Sequence, residues 1–230
     1  MRHPRKILML VENLPVPADP RVWTEALSLR DAGFSVSIIC PKGATKHQES
    51  TICIDGISIY RYTLPTTTST CFSYIAEYGT ALLKTFGLSL KVLFRSGFDA
   101  IHTANPPDIF FLIGLFYRLL GKKFVFDQHD LAPELFQVKF ARGAKLLYRL
   151  LLFLEKCSYR TAHLVITSNL SQKRFALERG HCSPDRAYVV RNGPDLKHIR
   201  LVTPELDLKR GFPYLPVSYT HLTLPTILRV

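Results

Sequence analysis

Residues 99–127, DAIHTANPPDIFFLIGLFYRLLGKKFVFD, pass from strand to helix to strand, and the architecture follows from them. Ala100 to Thr103 is a short apolar run suited to a buried strand. Asn105-Pro106-Pro107 makes a turn. Asp108 to Leu120 reads as a helix that Gly121 ends, and Lys123 to Asp127 (KFVFD) returns to strand character. Strand, helix and strand in so short a span form a βαβ unit, which joins parallel strands.

The same rhythm extends in both directions. Upstream, Lys6 to Val11 is a buried strand, and Pro15, Pro17 and Pro20 break the chain into a loop. Pro20 to Ala32 is a helix with Asp19 as its N-cap, Pro20 in its first position and Gly33 as its stop. Phe34 to Cys40 is a second strand. Thr51 to Ile54 and Ile57 to Tyr62 flank Asp55-Gly56, a tight hairpin signal. Phe72 to Phe94 reads as a long helix. Downstream come a basic, apolar helix over Gly143 to Arg160, a strand over Leu164 to Thr167, a helix over Ser168 to Arg179 closed by Gly180, and a strand over Ala187 to Val190. The fold class is α/β, a Rossmann-like, doubly wound, mostly parallel sheet. Ligands in such sheets sit beyond the carboxyl ends of the strands. The loops expected there are 12–19, 41–46, 104–108, 128–134, 168–169 and 191–195.

A hydrophobic content of 47% with 21% charged residues is globular composition and excludes a disordered chain. Lys and Arg outnumber Asp and Glu by 30 to 18, a formal charge of +12, which favours anionic partners without choosing among them. The cysteines, Cys40, Cys53, Cys71, Cys157 and Cys182, form no CxxC pair, so a reduced, cytoplasmic protein is expected. The longest apolar stretch, Ile109 to Leu120, is shorter than the roughly 20 residues that span a bilayer. Contact with a membrane surface stays open, because Arg142, Lys145, Arg149, Lys156 and Arg160 recur at mostly helical spacing among leucines. A buried helix with one solvated edge fits that pattern equally well.

Three segments can carry chemistry. Phe126 to Glu134 packs Asp127, His129, Asp130 and Glu134 directly after a strand. Histidine exchanges protons near neutral pH and neighbouring carboxylates orient it. The plainer reading makes Asp130 the cap of a short helix and leaves the rest solvated. In Asp99 to Asp108, His102 lies within an apolar strand and reads best as a hydrogen-bonded core histidine. Asn105 and Asp108 lie in the loop and suit ligand contact, although Asp108 also suits a helix N-cap. In Asp19 to Ala26, a helix N-terminus and the Arg21 fork would suit an anion, or would simply start a helix. No metal is expected, since His and carboxylates do not repeat at ligand spacing. GxGxxG, Walker-A, GxSxG and HExxH patterns do not occur, and no nucleic-acid reader motif is present.

Taken together, these segments resemble the N-terminal domain of family 4 glycosyltransferases. The resemblance rests on the strand Lys6–Val11, Asp19-Pro20-Arg21-Val22 with Glu25-Ala26, Gly33-Phe34, Asp99 to Asp108 with its Asn-Pro-Pro-Asp turn, Phe124 to Glu134 with His129-Asp130, and Arg191-Asn192-Gly193-Pro194-Asp195. It implies one half of a GT-B architecture, with two Rossmann-like domains facing across a cleft. The half present here would be the acceptor side. It implies sugar transfer from a nucleotide-sugar donor to a glycan or lipid-linked acceptor in polysaccharide biosynthesis, generally with retention and without a metal or other cofactor. His129 takes the place of the family histidine near the transferred sugar. Asp19, Arg21, Asn105, Asp108, Asp130, Glu134 and Asn192 are the expected substrate-binding residues, with Asn192 at the domain junction. The first loop lacks the Gly-Gly pair of many members.

The expected organisation is an acceptor-side domain over 1–200 and the start of a linker or second domain over 201–216. The tail over 217–230 resembles a translated sequencing adapter. On that reading the chain is truncated and inactive alone. The expected location is cytoplasmic, at the inner face of the membrane. The alternative is a complete, non-catalytic Rossmann-like binding or regulatory module.

Overall fold

Short apolar runs bounded by Gly, Pro and Asp become strands, and the amphipathic runs between them become crossover helices. The structure, a computed structural model, describes residues 5–43, 49–64, 71–139 and 145–193. Its strands are β1 (Lys6–Leu10), β2 (Ser35–Pro41), β3 (Thr51–Ile54), β4 (Ile57–Tyr62), β5 (Ala100–Ala104), β6 (Lys123–Gln128), β7 (Leu164–Thr167) and β8 (Ala187–Val189). Its helices are α1 (Pro20–Asp31), α2 (Cys71–Arg95), α3 (Phe111–Leu119), α4 (Ala132–Lys139), α5 (Lys145–Thr161) and α6 (Leu170–Glu178). The strands form one eight-stranded sheet in the order β3-β4-β2-β1-β5-β6-β7-β8. Every pairing is parallel except the β3–β4 hairpin.

Strand order reverses between β1 and β5, so the crossovers divide between the two faces of the sheet. Val22 and Ala26 of α1 pack with Met9, Ile38 and Ile57 in one core. Val92 of α2, Ile113 and Tyr117 of α3, Tyr159 of α5 and Ala176 of α6 pack with Leu8, Ile101, Phe124 and Val165 in the other. The two cores follow the period-two alternation of the strands.

The local chemistry expected at the ends of α1 is present. Asp19 caps it, accepting from the backbone N–H of Arg21 and of Val22, each at 3.1 Å, and Gly33 follows with φ of +87°. The Asp55-Gly56 hairpin turn is likewise left-handed at both residues. One boundary differs. The helix expected from Asp108 opens as a 3-10 turn over Asp108–Phe110, and its N-cap is Pro107, not Asp108. Proline has no side-chain acceptor with which to cap, and Asp108 points elsewhere.

Cys40, Cys53, Cys157 and Cys182 are free thiols. Among the described residues, no helix is long and apolar enough to cross a membrane. The chain divides into units 1–192 and 193–230. The linker expected over 201–216 and the tail over 217–230 lie outside the described residues.

Gly180 shows how tightly the end of α6 sits against α5. A methyl group there would lie 2.7 Å from the Ala176 carbonyl oxygen and would overlap the Tyr159 ring. Gly180→Ala should therefore destabilise the domain by about 1–3 kcal/mol, read as a lower urea midpoint with an unchanged m-value.

Candidate functional site

Strand register builds the site. Ala104 pairs with Asp127, and His102 with Val125. His102 therefore points to the same sheet face as Asp127, the face covered by α1. On that face, Arg21 Nη2 donates to Asp127 Oδ1 at 2.7 Å, and Arg21 Nε donates to Glu25 Oε1 at 3.1 Å. The other Asp127 oxygen, Oδ2, lies 2.8 Å from His129 Nε2 and 3.4 Å from His102 Nε2. Glu25 Oε2 approaches His102 Nε2 to 3.8 Å. The Asp127 side chain is fully buried, while that of His129 keeps 16% of its surface exposed.

Burial would push the Asp127 carboxyl up. Hydrogen bonds and charge from His102 and His129 outweigh it and hold the carboxyl well below the usual range. Burial would likewise push His102 down, but the hydrogen bond and charge of Asp127 raise it. Burial and the Asp127 charge raise Glu25. Asp127 is thus an ionised, acceptor-only group. His129 must present Nε2–H to it, which leaves Nδ1 as the ring atom for other contacts.

On the opposite face of β6, Gln128 Nε2 donates to Glu155 Oε1 at 3.2 Å, and Tyr159 Oη donates to Gln128 Oε1 at 2.8 Å. Arg179 binds Glu155 and Glu134 together: Nη1 donates to Glu134 Oε1 at 2.5 Å, and Nη2 to Glu155 Oε1 at 2.8 Å.

Asn105 ties the next loop down. Its Oδ1 accepts from the backbone N–H of His129 at 2.6 Å and of Asp130 at 3.1 Å. Its Nδ2 donates to Asp108 Oδ1 at 3.0 Å and to the Asp130 carbonyl at 2.9 Å. Beside this loop lies a mostly apolar pocket of about 530 Å³, lined by Pro106, Pro107, Ile109, Leu135, Phe136, Leu151 and Leu154 among others.

The expected site residues fall into separate roles. His129 and Asp130 stand together on the loop after β6. Asn105 and Asp108 are buried beside them, and Asn105 holds that loop from within. Burial, offset by Asn105 and Arg179, raises Asp108 to about 6. At the α1 terminus, the groups that suit an anion have partners within the protein. The N–H groups of Arg21 and Val22 are taken by the Asp19 cap, and the guanidinium is taken by Asp127 and Glu25. Glu134 is paired with Arg179. Asn192 is exposed at the end of the first unit, apart from the cluster's hydrogen bonds.

Ligand spacing along the chain was a poor guide to what meets in space. Glu25, His102 and Asp127 come from α1, β5 and β6 and bring ligand atoms within 4.8 Å. The Arg21 guanidinium pairs with one oxygen of each of these two carboxylates, so it shares the cluster with any cation that would bind there. His102 is buried and hydrogen-bonded as expected, but its partner is the carboxylate that holds His129. Asp127 and Glu25 were the undervalued residues. An acid inside the apolar run KFVFDQ was the available signal, because a buried charge demands partners.

The scan of family models matches residues 21–198 to the model "Glycosyltransferase Family 4". The chain belongs to this glycosyltransferase family. Similar solved structures include sucrose-phosphate synthase from Thermosynechococcus elongatus, at 17% identity and a TM-score of 0.58, covering 92% of this chain and 53% of that one. The catalytic domain of starch synthase IV from Arabidopsis thaliana, bound to ADP and acarbose, matches at 12% identity and a TM-score of 0.56, over 85% of this chain and 53% of that one. A glycosyltransferase from Rickettsia africae matches at 17% identity and a TM-score of 0.51, over 92% and 49%. These likenesses establish the GT-B type of fold. The family 4 chain described here spans about half the length of these structures. No curated protein sequence matches it.

Glu12, buried just beyond β1 at this edge of the sheet, has its pKa pushed up to about 7 by burial and then by Glu77. Between about pH 4.5 and 7 the folded state keeps a proton that the unfolded chain has lost. Stability therefore falls as pH rises through that window. Glu12→Gln should remove on the order of 2 kcal/mol of this decline, measured by urea unfolding at pH 4.5 and pH 7.5.

Proposed function

We propose that this chain is the acceptor-side half of a retaining glycosyltransferase. It would serve the transfer of a sugar from a nucleotide-sugar to a lipid-linked or glycan acceptor in polysaccharide biosynthesis, at the inner face of the membrane. The observation that carries the reading is the part-exposed His129 on its loop at the carboxyl edge of the sheet, oriented by the buried Asp127. With Nε2–H fixed on Asp127, Nδ1 accepts from a sugar hydroxyl when the ring is neutral and donates to a phosphate oxygen when it is protonated. Either bond strengthens as charge develops on the leaving group. The apolar pocket beside Asn105 favours an acceptor with an apolar part. The chemistry calls for no metal here: the cationic partner of the buried acids is Arg21.

The half-length match to GT-B structures supports a donor-binding half encoded beyond this chain. The 230 residues alone should transfer little sugar. A protein joining residues 1–216 to the half encoded downstream should release nucleoside diphosphate from a nucleotide-sugar when a lipid-linked acceptor is supplied. In that protein His129→Ala should lower kcat by roughly 100-fold or more with little change in donor KM. A two-domain protein that neither binds nor hydrolyses any nucleotide-sugar would overturn the reading and favour a non-catalytic binding module.

A further inference from the structure

The helix layer on the α2–α3–α5 side of the sheet leaves large apolar side chains in solvent. Leu83 and Phe94 of α2 are 73% and 85% exposed, Leu119 of α3 is 81% exposed, and Leu146 and Phe153 of α5 are 82% and 60% exposed. These helices are neighbours. Phe86 of α2 meets Phe116 of α3 edge-on with ring centroids 5.1 Å apart, and α3 packs on α5. On α3, Leu112, Leu115, Phe116 and Leu119 recur at i, i+3, i+4 and i+7, the spacing of a helix face that is normally buried, yet each is exposed.

Charge on the same layer is predominantly positive. The three helices carry eight Lys or Arg, and their acids are Glu77 and the buried Glu155. At about 100° per residue, Lys145, Arg149, Lys156 and Arg160 of α5 fall within an arc of about 60°. Leu146, Leu150 and Phe153 fill the adjoining arc of about 60°. Cations beside an exposed apolar stripe form the pattern of a helix lying in a headgroup layer, its apolar side chains inserted and its cations at the phosphates.

We infer that the outer face of α2, α3 and α5 docks on an anionic lipid bilayer. Charge complementarity together with the apolar stripe selects this occupant, since the phosphates of an anionic bilayer meet the cations while its acyl chains receive the exposed Leu and Phe side chains. The surface would bring the chain to the lipid-linked acceptor proposed above, but its existence does not rest on that reading.

The test uses the 230-residue chain and needs no sugar donor, so its outcome is separate from that of the transferase reading. The chain should co-sediment with vesicles of phosphatidylglycerol and phosphatidylcholine, bind pure phosphatidylcholine far less, and be released by salt. Replacing Lys91, Lys145 and Arg149 together by Gln should weaken binding on the order of 100-fold. Leu119→Ser with Phe153→Ser should also release the chain from vesicles while leaving its circular dichroism unchanged, because both side chains are exposed. Three outcomes would overturn the inference: no binding to anionic vesicles, equal binding to both vesicle types, or a dimer in sedimentation velocity that the serine variants dissolve. The last would assign the face to a second copy of the chain.

Discussion

A carboxylate buried at the end of a parallel strand is the constraint around which this eight-stranded sheet is arranged. Asp127 has no exposed surface, so its charge must be met by protein groups. Arg21 arrives from α1 at one oxygen, and His129 and His102 share the other. Removing any one partner would leave charge uncompensated, which is far costlier than the net gain from forming the pair. The position of α1 over the sheet, the side of β5 on which a histidine stands and the path of the chain after β6 all answer to this one group.

The strand that ends in Asp127 also directs the opposite face. Successive residues of a strand point to opposite sides, so Gln128 meets Glu155 and Tyr159 on the α5 side. Arg179 then joins Glu155 to Glu134 on α4. Two ionic networks on opposite faces thus converge on neighbouring residues of β6. The polar loop that follows leaves the sheet from a tightly held point.

Periodicity made the elements legible. β1, α1, the β3–β4 hairpin, β6 and β7 stand within a residue or two of their expected bounds, because apolar spacing and Gly, Pro and Asp punctuation act locally. The candidate site was legible as a segment but not as a constellation. His129 was visible as a histidine after a strand. That Arg21 would reach Asp127 across 106 positions was not visible, since nothing in either local pattern encodes it. The same limit hid the internal partners of Arg21, read from its type as a donor to an anion. Arg21 pairs with Asp127 from a distant strand, whereas Asp19 caps the adjoining turn as its N-cap reading expected. His102 was read as a core residue, and it is one. What the sequence could not show is that this part of the core is ionic.

Asn105 connects this ionic core to the apolar pocket. Its amide satisfies two backbone N–H groups of the His129–Asp130 loop on one side and the Asp108 carboxylate on the other, so all four of its polar contacts are internal. The residues that follow it, Pro106 and Pro107, form part of the pocket wall. One short loop therefore lines the apolar cavity with its prolines and holds the histidine's backbone with its amide. Proline lacks the N–H that a buried loop would otherwise have to satisfy, so this wall can be apolar without leaving unpaired donors. A group seated against the prolines would stand beside the loop that carries His129. The separation between them is set by the chain itself and not by flexible side chains. Such preorganisation fixes the loop relative to the pocket before any ligand arrives.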